Sequence, residues 1–166
     1  PGLKPEKNRS LDLGIEAQLP GGRGVIDVTL FKERLEDEIT YTPGAAPDGR
    51  ASFVNQSGES PRQGVEVTAK LKATDDLDLA LNYTYLDAKN PDGSVEIRRP
   101  RHEVGLSATM AFLDGRGQAT LDLRHVSGNF DTQFWGAYQT VALPSYNVVN
   151  LSAGYDLTPN LRLTGR

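Results

Sequence analysis

The 166-residue chain has no cysteine. Disulfide frameworks, thiolate zinc sites and cysteine nucleophiles are therefore excluded. An excess of positive charge is lacking too. Its 18 Lys and Arg stand against 22 Asp and Glu, a formal net charge of -4, so no nucleic-acid partner is expected. No apolar run approaches the roughly 20 residues that a membrane helix requires, and mean hydropathy is negative. This last absence does not exclude a membrane barrel. Its strands need apolar residues only at alternate positions, so their average hydropathy matches that of a soluble protein.

What is present is alternation with a period of two, the pattern of strands with two chemically different faces. Leu77, Leu79, Leu81, Tyr83 and Tyr85 alternate with Asp78, Ala80, Asn82 and Thr84. Val65 to Leu71, Val104 to Phe112 and Val149 to Leu157 repeat the pattern. So do Leu11 to Leu19, Ile26 to Leu30, Ala119 to Leu123 and a last segment at Leu161 to Arg166. About eight strands follow, many near the 9–11 residues that cross a bilayer at a tilt.

The connections alternate as well. Tight turns at Pro20 to Gly24, Thr74 to Asp76, Asp114 to Gly117 and Thr158 to Asn160 are rich in turn-forming residues. Between them lie long polar connections, one opening at Thr42 to Arg50, then Asp87 to Pro100 and Ser127 to Pro144. A short-long rhythm is the organisation of outer-membrane barrels. The expected fold is all-β: an antiparallel up-and-down transmembrane β-barrel segment of about eight strands. The alternating apolar series carries no charge at mid-strand, and Tyr83, Tyr85 and Tyr155 suit aromatic girdles. Two alternatives share the alternation. One is a complete small barrel of about eight strands with a structural or adhesive role; it requires the Leu11 strand to pair with the Leu161 strand. The other is a soluble β-sandwich that binds carbohydrate through Trp135, with a dry core under Leu79 and Leu106.

Several stretches resemble a known family when taken in order. These are Leu3-Lys4-Pro5-Glu6, then Val28-Thr29-Leu30-Phe31 followed by Asp37-Glu38-Ile39, then Phe53-Val54-Asn55-Gln56-Ser57-Gly58 with Gly64-Val65-Glu66. Leu81-Asn82-Tyr83-Thr84-Tyr85-Leu86-Asp87-Ala88, Arg99-Pro100-Arg101-His102 and Tyr146-Asn147-Val148-Val149-Asn150-Leu151 complete the series. Together they resemble the C-terminal barrel of TonB-dependent outer-membrane receptors over essentially residues 1–166, closest in flavour to cobalamin receptors. The resemblance implies a wall segment truncated from a barrel of about 22 strands, roughly the fourteenth to twenty-first. It implies active transport of a scarce nutrient such as a siderophore or cobalamin across the bacterial outer membrane. The implied partners are outer-membrane lipid and the transported ligand, with TonB engaged only through an N-terminal plug. The chain starts at Pro1 without a Met and stops within an alternating segment. A fragment is therefore expected, with plug and closing strand outside it.

No residue set suggests an enzyme. Ser57, Ser60 and Ser145 have no His–Asp arrangement around them, so no catalytic residue and no cofactor is expected. His102 and His125 flank one hairpin, with Glu103 and Asp131 as conceivable companions, but no spacing resembles a metal motif. Rim histidines and no metal site are the expectation. Asn90-Pro91-Asp92-Gly93 and Pro47-Asp48-Gly49 read as turns, since the alternating acidic ladder of a calcium loop is missing. The lumenal charges Glu66, Lys70, Lys72, Glu103, Asp122 and Arg124 are expected to form cross-strand ion pairs and hydrate the interior. Ligand contact is assigned to the long loops. Phe134, Trp135 and Tyr138 suit stacking on a ring or sugar, and Arg98, Arg99 and Arg101 suit an anionic group.

Overall fold

The fold is described from a computed structural model and covers residues 2–166. Twelve strands are arranged as one large sheet and two small hairpins. The large sheet contains β1 (Lys7–Gln18), β2 (Gly24–Glu36), β5 (Glu59–Lys72), β6 (Leu77–Ala88), β7 (His102–Phe112), β8 (Gly117–Ser127), β11 (Tyr146–Thr158) and β12 (Leu161–Gly165). Their order across the sheet is their order along the chain, and every neighbouring pair is antiparallel. The strands β3 (Ile39–Thr42) with β4 (Ser52–Asn55), and β9 (Phe130–Thr132) with β10 (Thr140–Ala142), form hairpins within two of the long connections.

The tight turns lie at one end of the sheet. Pro20–Gly22 is a single 3-10 turn closed by a hydrogen bond from Leu19 N to Gly24 O of 2.8 Å. Gly21 and Gly22 take φ of 71° and 66° there, a region open to glycine at little cost. The connections at 37–58, 89–101 and 128–145 all emerge at the opposite end.

Register makes the two faces explicit. On one face Leu30 is paired with Leu13 and Val65, and Val65 in turn with Tyr85. The rows beneath hold Ile15, Val28, Val67, Tyr83 and Val104, then Ala17, Ile26, Ala69, Leu81, Leu106 and Leu123. The other face carries Gly14, Thr29, Glu66, Thr84 and Glu103 in one row, and Glu16, Asp27, Thr68, Asn82, Gly105 and Arg124 in the next. On this polar face Phe31 lies across bare backbone at Gly64, its Cζ 2.6 Å from where a Cβ would stand. An aromatic covering a strand glycine is a recognised means of holding register.

Neither alternative architecture is observed. Among the described residues β1 and β12 are the two ends of the sheet and do not pair, so the eight strands form an open wall rather than a closed small barrel. A sandwich would cover its apolar face with a second layer. Leu106, Met110 and Leu121 sit on inner strands and remain 40%, 53% and 39% exposed. Among the described residues only Ser60, Ala88, Gly117 and Val126 are buried. The apolar face is therefore a surface presented to an apolar solvent.

Two local readings are refined. The strand expected over Ile26 to Leu30 extends to Glu36, because its outward residues change from apolar Leu30 to Lys32 and Arg34 and the apolar alternation disappears while pairing continues. The long polar connections near Thr42 and after Ser127, where alternation marks no strands, each contain a short hairpin.

Candidate functional site

The long-loop end is organised around Arg62. This residue lies on the polar face of β5, opposite Ala88 on β6. Its guanidinium makes a two-pronged contact with Glu96, Nε to Oε2 and Nη2 to Oε1 both at 2.8 Å. Nη2 also donates to Glu38 Oε1 at 3.1 Å, and Ser60 Oγ donates to the other Glu38 oxygen at 2.8 Å. Ser60 is almost wholly buried. Planar guanidinium matches carboxylate geometry in such paired contacts, which combine strength with fixed orientation. Glu38 belongs to the β2–β5 connection and Glu96 to the β6–β7 connection, so one wall residue holds both loops.

Backbone contacts reinforce the arrangement. Gln56 N donates to Glu38 O at 2.7 Å, and Lys89 N donates to Pro61 O at 3.0 Å. The Asn55 amide donates to Asp37 O and to Lys4 O, and it accepts from Lys4 N. Glu6 accepts from Ile39 N at 2.7 Å. Gly58 packs against Pro91, with φ of 103°, leaving no room for a side chain.

Glu96 lies in a loop beyond the wall. Burial pushes its carboxyl up, but hydrogen bonds and charge from Arg62 and Arg99 outweigh burial and hold it below the ordinary carboxylate value. A depressed folded-state value stabilises the closed loops fully above the unfolded-state value. That contribution is lost as pH falls through the lowered one. Hydrogen exchange in residues 89–100 should therefore stay protected through the mildly acidic range and open only in stronger acid. Opening near neutrality would contradict this assignment.

The arginines expected to gather around an anion are divided among three carboxylates. Arg98, with φ of 60°, places Nε 3.1 Å from Asp131 and its guanidinium carbon 5.5 Å from the Phe134 ring centre. Arg99 joins Glu96 at 3.1 Å, while Arg101 stands 3.9 Å from Asp87. Phe134, Trp135 and Tyr138 occupy the tip of the β9–β10 hairpin and are 60%, 71% and 66% exposed. The structure thus brings Arg98 and Phe134 together and leaves Trp135 and Tyr138 open at the same tip.

The histidines are diagonal neighbours across the β7–β8 pair, both on the apolar face, and each has its own partner. His102 Nδ1 meets Tyr83 Oη at 3.0 Å, and its ring packs against Tyr85 with centres 5.2 Å apart. His125 Nδ1 meets Asn147 Oδ1 at 2.8 Å. These polar-tipped rings border the apolar belt on the long-loop side, where an aromatic girdle is expected. No cluster able to hold a metal occurs among the described residues. Of the six lumenal charges, Arg124 and Glu103 are joined at 2.8 Å; Glu66, Lys70, Lys72 and Asp122 form no ion pair among the described residues, so the expected pairing holds for two of them. Asn90 to Ser94 and Ala46 to Arg50 are hydrogen-bonded turns, as expected.

A family model described as "TonB dependent receptor-like, beta-barrel" matches residues 1–166. The vitamin B12 transporter BtuB of Photobacterium profundum is 26% identical over 169 residues, covering 100% of this chain and 26% of that protein. The ferrioxamine B receptor of Salmonella typhimurium is 24% identical, covering 94% of this chain and 22% of that protein. The chain thus spans about a quarter of the length of these curated relatives. In three dimensions it superposes on the ferripyoverdine receptor of the outer membrane of Pseudomonas aeruginosa with a TM-score of 0.79, at 15% identity, covering 98% of this chain and 23% of that one.

Proposed function

Because the chain belongs to the TonB-dependent receptor family, being a segment of its β-barrel, we propose that the whole protein imports a scarce nutrient across the bacterial outer membrane. The cargo is a siderophore, a cobalamin or a similar chelate. This segment supplies wall and extracellular loops, and energy from TonB enters through a plug domain outside these 166 residues. The observation that carries the reading is the two-faced wall: apolar outward, polar inward, with every long connection at one end. The role is transport rather than catalysis.

The test is uptake by cells lacking the whole gene. Loss of labelled cobalamin or ferric-siderophore import, restored by the gene only when TonB is present, is the expected result. Unaltered, TonB-independent import of all such cargoes would overturn the proposal.

Within that role, cargo meets the aromatic tip of the β9–β10 hairpin. Exposed rings carried by a hydrogen-bonded hairpin can stack on flat or sugar-like ligand surfaces, each ring giving large contact area for few rotatable bonds. Arg98 packs its guanidinium over the Phe134 ring, while Arg99 and Arg101 are engaged by Glu96 and Asp87. Replacing both Phe134 and Trp135 with alanine in the full-length receptor should weaken cargo binding by ~10- to 100-fold, the effect of losing one or two anchoring aromatics. Titration calorimetry reads this directly, and unchanged affinity would place the contact elsewhere.

A further inference from the structure

The outward face of β1 and β2 changes chemistry abruptly along its length. Ala17 with Ile26, Ile15 with Val28 and Leu13 with Leu30 are apolar cross-strand pairs. The next pairs toward the long-loop end are Leu11 with Lys32, Arg9 with Arg34 and Lys7 with Glu36. Alternation keeps all of them on the outward face, so these cations point away from the lumen and its cargo. Their level is where acyl chains give way to headgroups.

Arg9 and Arg34 stand directly opposite each other, and like charges in that position repel. The nearest carboxylates relieve this poorly. Arg9 is 3.9 Å from Glu36 and Arg34 is 3.6 Å from Glu59, and the Arg34 side chain, on the inner strand β2, remains 54% exposed. Lys32, two residues before Arg34 on the same face, forms no ion pair among the described residues. Three cations are thus held together above an aliphatic track, incompletely neutralised by the carboxylates of the described residues.

We propose that Arg9, Lys32 and Arg34 dock the phosphorylated headgroup of an outer-leaflet glycolipid. A phosphate between Arg9 and Arg34 turns their repulsion into a bridge, accepting charge-assisted hydrogen bonds from both guanidinium forks. Acyl chains of the same lipid lie along Leu11, Leu13, Ile15 and Leu30, which are exposed on this face. A soluble phosphate has no use for that track. The proposal rests on the outer-membrane reading above.

The test uses the full-length receptor in detergent, titrated with diphosphoryl lipid A and followed by native mass spectrometry. Arg9→Gln with Arg34→Gln should weaken binding roughly 25-fold, about five-fold for each cation lost at an anionic lipid surface. Glu36→Gln with Glu59→Gln removes the competing carboxylates and should strengthen binding by about two- to five-fold, on the scale of a weak surface ion pair. Lys72→Gln on the lumenal face should leave it unchanged, and dephosphorylated lipid should bind wild type as weakly as it binds the arginine variant. Equal binding of diphosphoryl lipid to wild type and the arginine variant overturns the proposal. So does inorganic phosphate binding as tightly as the lipid, or weakening by the glutamate substitutions. If the arginine variant fails to assemble, the glutamate variant and the dephosphorylated lipid still decide. A receptor that inserts and imports cargo without preferring phosphorylated lipid loses this site and keeps its transport role. One that binds the lipid but imports nothing does the reverse.

Discussion

An Arg62→Ala receptor is expected to keep its barrel and lose the closed arrangement of two extracellular loops. Arg62 is the only described cation in contact with both Glu38 and Glu96, and its side chain is 12% exposed. Removing one partner of a buried pair leaves the other charge uncompensated, at a cost of about 3–5 kcal/mol. Here Glu96 keeps Arg99 at 3.1 Å, and the two carboxylates are 26% and 15% exposed. The lower end, about 3 kcal/mol, is the appropriate figure, corresponding to roughly a hundredfold increase in the open population. The penalty falls on the loops because Arg62 lies above the apolar belt. Hydrogen exchange should accelerate in residues 37–58 and 89–100 while β6 and β7 remain protected. Combining Arg62→Met with Glu38→Gln and Glu96→Gln should recover much of the loss, since the charge that then loses its partner is Arg99, whose side chain is half exposed. Unchanged exchange in Arg62→Ala would mean that the backbone contacts alone hold the loops.

The second large effect separates the two faces of one strand. Leu106 and Ser107 are consecutive on β7, pairing with Leu123 and Asp122 respectively. Leu106→Arg puts a guanidinium near the middle of the apolar belt, where a cation costs about 2–4 kcal/mol. Ser107→Arg puts it among polar groups beside Asp122, where the cost is near zero or slightly favourable. Heat-modifiable gel migration of the full-length receptor should therefore show reduced assembly for Leu106→Arg and near-normal assembly for Ser107→Arg. Equal tolerance would mean that both faces are wet.

The wall was legible in the sequence because its signal is local. Leu77 to Tyr85 alternates without interruption, and turn residues mark its start, so β6 and its neighbours follow directly. The upper half of β2 was not legible. Pairing there continues through Lys32 and Arg34, which face outward like the leucines below them, and the apolar pattern cannot register a strand whose surroundings change from acyl chain to headgroup. The β3–β4 hairpin left a faint trace in Tyr41 and Phe53, whose rings lie 5.2 Å apart across four-residue strands. Segments that short carry too little periodicity to stand apart from loop. The Arg62 cluster left none. Glu38 and Glu96 are separated from Arg62 by 24 and 34 positions, and only the strand register brings them together. The aromatic tip was visible as composition, while its attachment through Arg98 depends on Asp131 and a backbone bond to Phe130.

These 166 residues lack cysteine, so once any cysteine elsewhere in the full-length receptor is replaced, single cysteines can be placed along β7 and spin-labelled in lipid bilayers. Labels at Val104, Leu106, Ala108 and Met110 should collide with lipid-dissolved oxygen and be shielded from a water-soluble nickel chelate. Labels at Glu103, Gly105, Ser107 and Thr109 should show the reverse, giving a period of two along the strand. Shielding from both reagents at Leu106 and Ala108, as in a dry protein core, would contradict the outward assignment of the apolar face.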